Sequence, residues 1–288
     1  MNEKKRIPLI AGIASLIDPG LGFVYCGAVR KGVIITASFL IAVALLFLLS
    51  ALKSFTTAFI MVCCYLGARL YFIIASFLLA KKKSPIALTR FNRWYAYGAY
   101  ILLTAIGSFV VGSLSPTNSY HVPTAGMEPA IEAGDYIMAD MNHYNSHGVK
   151  AGDIVVFYHP EDPRQPYVKR CIALGGETVE IRDGLAFVDG NRSLPTLFLK
   201  RGSQSIKPRD FKDPRIYPPD SGNEDQYGPV TIPEGKLFML GDYRDNSLDS
   251  RYFGFVDRSA VVGKAVYVYW SNDLSRVGKS LQWQNNDN

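Results

Sequence analysis

Three apolar stretches, Gly32 to Leu52, Thr56 to Ala80 and Tyr95 to Leu114, decide most of what this chain can fold into. Each reaches the roughly 20 residues a helix needs to cross a hydrocarbon core about 30 Å thick. An earlier apolar stretch, Pro8 to Val29, is interrupted by Asp18-Pro19-Gly20. Proline removes a helical hydrogen bond and glycine loosens the backbone, so one straight span is not expected there. Lys4, Lys5 and Arg6 precede this stretch, and Arg30 and Lys31 follow it. If both basic clusters stay on the cytoplasmic side, the segment enters and returns as a re-entrant hairpin (residues 8–29) turning near Asp18. Spans over 32–52, 56–80 and 95–114 then carry the chain out, back to Lys81-Lys82-Lys83, and out again. Four full spans is the competing count and needs a non-cytoplasmic N-terminus. Either way, everything after residue 114 is outside. Arg69 lies inside the Thr56 to Ala80 stretch, where it either has a functional role or faces a neighbouring helix.

Charge follows the same division. Residues 1–114 carry 12 Lys/Arg against 2 Asp/Glu, and the remainder carries 19 against 23. The overall charge of +6 is thus that of membrane-helix flanks, not of a nucleic-acid-binding face. No nucleic-acid partner is expected. Cys26, Cys63 and Cys64 fall in apolar segments, leaving Cys171 alone in the second half without an internal disulfide partner. Its plain reading is a small buried strand residue.

From Ser115 onward, short β-rich runs alternate with Gly, Pro and Asp. Strands are expected at Asp153–Tyr158, Pro166–Leu174, Thr178–Ile181, Ala186–Val188, Lys236–Leu240 and Val261–Trp270, with a hairpin turn at Asp183-Gly184. No amphipathic helix stands out, so residues 115–288 read as a mostly antiparallel β domain behind an α-helical transmembrane region. A polar segment over 191–227 reads as an inserted subdomain or a long loop.

Acyl transfer needs a nucleophile, a base and donors for the oxyanion. The four histidines (His121, His143, His147, His159) show no triad spacing, and there is no Gly-x-Ser-x-Gly elbow. A lysine serves as base once its ordinary pKa of about 10.4 falls by several units, which burial achieves. Lys169, in Tyr167-Val168-Lys169-Arg170-Cys171-Ile172, alternates as on a half-buried strand. A solvated strand lysine is the equal alternative on this segment alone.

Pro123-Thr124-Ala125-Gly126-Met127-Glu128-Pro129, Tyr167-Val168-Lys169-Arg170 and Gly241-Asp242-Tyr243-Arg244-Asp245-Asn246-Ser247-Leu248-Asp249-Ser250-Arg251, in that order behind apolar spans, resemble the boxes of type I signal peptidases. Those are membrane-anchored serine endopeptidases with a Ser/Lys dyad. The resemblance covers Tyr120 to Lys264 and implies the following roles. Lys169 is the general base and Ser247 orients its amine. Thr124 and the backbone N–H of residue 126 form the oxyanion hole. Met127 lies at the edge of the substrate cleft near the bilayer, and Arg170, Asp242, Asp249 and Arg251 are supporting ion-pair residues. No metal or cofactor is implied. Tyr243 is a small departure, since the family usually has Asn there.

The larger departure is Gly126, which stands where the family carries its nucleophilic serine. The resemblance implies removal of signal peptides from secretory preproteins at the outer face of a bacterial plasma membrane, by a multi-pass protein embedded in lipid. Gly126 motivates a second reading: a catalytically silent signal-peptide-binding protein, or an accessory to an active paralogous peptidase. Both readings require the Lys169 amine to face the Cα of residue 126.

Overall fold

The computed structural model of the protein describes residues 3–48, 54–82, 85–87, 90–162, 164–192 and 206–282. The chain divides into two compact units, Met1–Pro116 and Thr117–Asn288.

The first unit is helical: α1 (Pro8–Ile17), α2 (Leu21–Tyr25), α3 (Val29–Leu48), α4 (Phe55–Lys82) and α5 (Trp94–Ser113), with a short antiparallel pairing of β1 (Glu3–Lys4) and β2 (Ile86–Ala87). Among the described residues, three helices are long and apolar enough to cross a membrane, over Val29–Leu46, Phe55–Lys82 and Trp94–Ser113. The end of the expected 32–52 span lies outside the described residues.

The stretch 8–29 breaks where Asp18, Pro19 and Gly20 fall. The start of α1 meets the end of α2: the Ile7 N–H donates to the Tyr25 hydroxyl at 3.3 Å, and the Arg6 guanidinium lies 4.4 Å from the Tyr25 ring centroid. At the break, one Asp18 carboxylate oxygen accepts from the Gly20 N–H (2.9 Å), the Thr36 hydroxyl (2.5 Å) and the Tyr100 hydroxyl (3.1 Å). Gly20 sits so close to α3 that a Cβ there would lie 2.1 Å from the Gly32 carbonyl oxygen. Arg69 faces a neighbouring helix, its guanidinium donating to the Leu16 and Ile17 carbonyls that end α1. Those carbonyls have no partner within their own helix, and a cation suits that end of the helix dipole.

The second unit is mostly β. Its strands are β3 (Thr117–His121), β4 (Tyr136–Asp140), β5 (Ile154–Tyr158), β6 (Pro166–Leu174), β7 (Thr178–Arg182), β8 (Leu185–Val188), β9 (Asn191–Arg192), β10 (Tyr227–Thr231), β11 (Lys236–Leu240), β12 (Val256–Asp257) and β13 (Val261–Trp270). Seven pair antiparallel in the order β12-β11-β6-β5-β13-β4-β3, and four in the order β10-β7-β8-β9. The β7–β8 hairpin turns at Asp183 (φ 51°) and Gly184 (φ 76°), the two positive angles that a tight two-residue hairpin turn requires. Ile131, Ile137, Ile154, Ala265 and Val268 build one apolar cluster of this unit, and Ile172, Ile181, Tyr227 and Phe238 another.

Residues 193–205 of the polar segment lie outside the described residues. The part from 206 to 226 is turn-rich. It is pinned by Asn223, whose side-chain amide donates to the Pro208 and Phe211 carbonyls at 3.0 and 2.8 Å.

Candidate active site

β6 lies between β5 and β11; Lys169 pairs with Val155 of β5 and sits one residue past the end of the β11 pairing at Arg170. Its side chain is 6 % exposed, and its amine donates to the Ser247 hydroxyl at 2.8 Å. Burial drives its pKa below the usual 10.5. The nearby charges of Asp249 and Asp242 oppose that shift and Arg251 reinforces it. The neutral amine is therefore favoured relative to a free lysine.

Gly126 arrives on the loop between β3 and β4. A Cβ built on it would lie 3.1 Å from the Lys169 Nζ and 3.2 Å from the Asn246 carbonyl oxygen. The amine thus faces the place from which a residue-126 side chain would project. The Gly126 carbonyl is held by the Tyr243 N–H at 3.2 Å, while its own N–H makes no hydrogen bond to a described residue.

The third segment leaves β11 at Gly241. A Cβ there would lie 2.1 Å from the Ser247 hydroxyl and 2.4 Å from the Gly126 carbonyl oxygen, so only glycine lets these loop segments of the site close together.

Two buried ion pairs fix this segment. Arg170 binds Asp242 through two hydrogen bonds (2.8 and 2.6 Å) and reaches the Gly152 carbonyl at 2.8 Å, anchoring the segment to the residue next to Lys169. Arg251 binds Asp249 at 2.8 and 2.9 Å and also donates to the Arg244 carbonyl at 2.7 Å. Both partners of the second pair are at most 1 % exposed. Burial alone would raise the Asp249 pKa, but the charge and hydrogen bonds of Arg251 more than offset it and hold it below 3.8. The pair's contribution is therefore complete above pH 3.8 and fades as pH falls through the lower folded value. Asp249→Ala should cost about 3–5 kcal/mol, because it strands a buried guanidinium. Denaturant unfolding measured at neutral pH checks this.

Lys169, Gly126, Thr124 and Ser247 line one cleft of about 680 Å³, together with Val122, Val168, Leu248 and Tyr252. Thr124 is exposed on its wall. Met127 lines the cleft with 2 % of its surface exposed, packed with Ile131 and Ile137. Cys171 is fully buried, and burial pushes its thiol pKa up, so it is not a reactive thiol.

Sequence reasoning missed two supports. Arg244, 3 % exposed, donates to the Gly241 carbonyl at 3.0 Å. Arg276 donates to Asp135 at 2.7 Å, to Glu132 at 2.8 Å and to the Ala130 carbonyl at 3.1 Å, bracing the loop that follows Gly126. Arg244 stood within a quoted box. Arg276 lies beyond all of them and gave no signal.

Residues 94–270 match the family model described as "Signal peptidase, peptidase S26". The chain belongs to that family. A probable signal peptidase I-1 of Synechocystis is 30% identical over 157 residues, covering 52% of this chain and 69% of that protein. Signal peptidase IB of Staphylococcus aureus is 29% identical over 177 residues, 60% of this chain and 84% of that one. The crystal structure of a signal peptidase I from Enterococcus faecalis is 34% identical, with a TM-score of 0.32. It covers 41% of this chain and 97% of the other. Helices α1 to α4 precede the part that matches the signal peptidase family.

Proposed function

We propose that the β unit engages the signal-peptide region of secretory preproteins in the cleft over Gly126, as a signal-peptidase-type endopeptidase would. The observation that carries this reading is the buried Lys169 amine, held by Ser247 and facing residue 126. In this reading Lys169 is the base, Ser247 positions it, and Thr124 with the Gly126 N–H receives the oxyanion. The ion pair Arg170–Asp242 ties the second segment to the third, and Arg251–Asp249 fixes the third.

Glycine at 126 supplies no atom to attack a carbonyl, so the expected output of this chain is capture of the precursor with little or no cleavage. Gly126 likewise favours an accessory role beside an active paralogous peptidase. The apolar helices α3, α4 and α5 would place the site at the outer face of a bacterial plasma membrane. Basic flanks at Lys81 and Lys82 would stay cytoplasmic, and the hairpin over 8–29 would enter and return from that side.

A photoreactive residue in place of Leu248, which is 53 % exposed and lines the cleft, tests the binding claim. It should crosslink a precursor carrying an Ala-x-Ala site and leave one with bulky residues at that site unlabelled. Equal labelling of both, or of neither, would contradict it.

A further inference from the structure

The Lys169 amine already has a hydroxyl on it. Ser247 Oγ lies 2.8 Å from Nζ, within the reach expected of a nucleophile–base pair, and Ser247 lines the cleft. Among the described residues this is the only hydrogen bond that the hydroxyl makes, so the amine, when neutral, is the protein group placed to take its proton. The other serine of the segment is unsuited: Ser250 is fully buried and its oxygen accepts from the Met239 N–H at 2.9 Å. Gly126 also clears the approach. A side chain at 126 would begin 3.1 Å from Nζ, 3.2 Å from the Asn246 carbonyl oxygen and 3.8 Å from the Ser247 Cα, and here that space holds no Cβ.

We propose that in this chain Ser247 is itself the acyl acceptor, forming a slow surrogate dyad with Lys169 in place of the absent residue-126 hydroxyl. The inference rests on the reading that a peptide carbonyl is bound beside Gly126. Ser247 Oγ adds to the carbonyl carbon while its proton passes to the Lys169 lone pair, and the oxyanion takes the Gly126 N–H and the Thr124 hydroxyl. Collapse breaks the C–N bond, and the departing amine takes the proton from Lys169. The product is an ester on Ser247. Water adds to that ester, giving a proton to Lys169; collapse breaks the acyl–Oγ bond, Ser247 Oγ takes that proton back, and the acid leaves.

The probe is acetyl-Ala-Ala-Ala p-nitrophenyl ester, applied to the full chain in detergent micelles and followed by trypsin and tandem mass spectrometry. The expected result is a hydroxylamine-labile acyl group on Ser247 in the tryptic segment Asp245–Arg251, at least tenfold above Ser247→Ala. Ser247→Cys, checked for folding by circular dichroism, should carry a thioester at the same position. A hydroxylamine-stable amide on Lys169, an ester on Thr124, or no label above that of denatured protein would overturn the proposal. Cleavage by Gly126→Ser separates the two levels. An active Gly126→Ser with unlabelled native Ser247 removes the surrogate dyad alone, whereas an inactive, folded Gly126→Ser removes the reading beneath it.

Discussion

Gly126→Ser should raise cleavage of a signal-peptide-bearing precursor by at least roughly 10³-fold over the native chain. That is the scale on which acyl transfer depends on a nucleophile acting as a unit with its base. The backbone conformation at 126 does not oppose the change, because Gly126 is not in the left-handed region that disfavours side chains. The new Cβ would stand 3.1 Å from the Lys169 Nζ and 3.2 Å from the Asn246 carbonyl, so the flexible end of Lys169 and the Asn246 backbone must each give by a few tenths of an ångström. A hydroxyl one bond beyond that Cβ then comes within hydrogen-bonding distance of the amine. The assay compares rates of precursor processing in detergent or proteoliposomes. A folded Gly126→Ser protein that gains nothing contradicts the assignment. Full native activity that Thr124→Ala abolishes would move the nucleophile to Thr124.

In the Gly126→Ser background, Lys169→Ala should remove that gain, again by about 10³-fold or more, while the β unit stays folded. The base works only when neutral, so the rate should climb with pH as the amine deprotonates, at a value below the ordinary 10.5. The linkage to stability has the matching sign. Between the lowered folded pKa and 10.5 the unfolded chain binds a proton that the folded chain does not, so the destabilising effect of Lys169 grows as pH falls across that window. Below it the effect is constant. Turnover that persists in Lys169→Ala would remove lysine from the mechanism.

The parts of the fold that were legible are those whose side chains repeat with burial. β5, β11 and β13 are mostly apolar and largely buried in the sheet, β6 buries Lys169 and Arg170 among apolar residues, and all four appear where apolar and β-branched runs indicated. β3, Thr-Asn-Ser-Tyr-His, was not legible because it is an edge strand with no buried position. β10 was hidden for a related reason. It contains Gly228 and Pro229, which argue against a strand, and an edge position tolerates both.

In the site, the juxtaposition of Lys169 with Ser247 came from the resemblance of whole boxes, not from spacing, since 78 residues separate them. The pairing of Arg170 with Asp242 and of Arg251 with Asp249 was available only from coordinates, because four charged residues in two segments permit several pairings. Arg69 shows the same limit. A charge inside an apolar helix called for a partner, but a sequence does not show that the partner is a pair of carbonyls ending another helix.

The central claim is an uncharged Lys169 amine facing residue 126, and its titration tests that claim most directly. With ¹⁵N-labelled lysine, and Lys169→Arg to assign the signal, the Nζ resonance of the native chain should titrate well below 10.5. The signal should also shift when Ser247 is replaced by alanine. An amine that stays charged up to pH 10 and ignores the Ser247 substitution would contradict it.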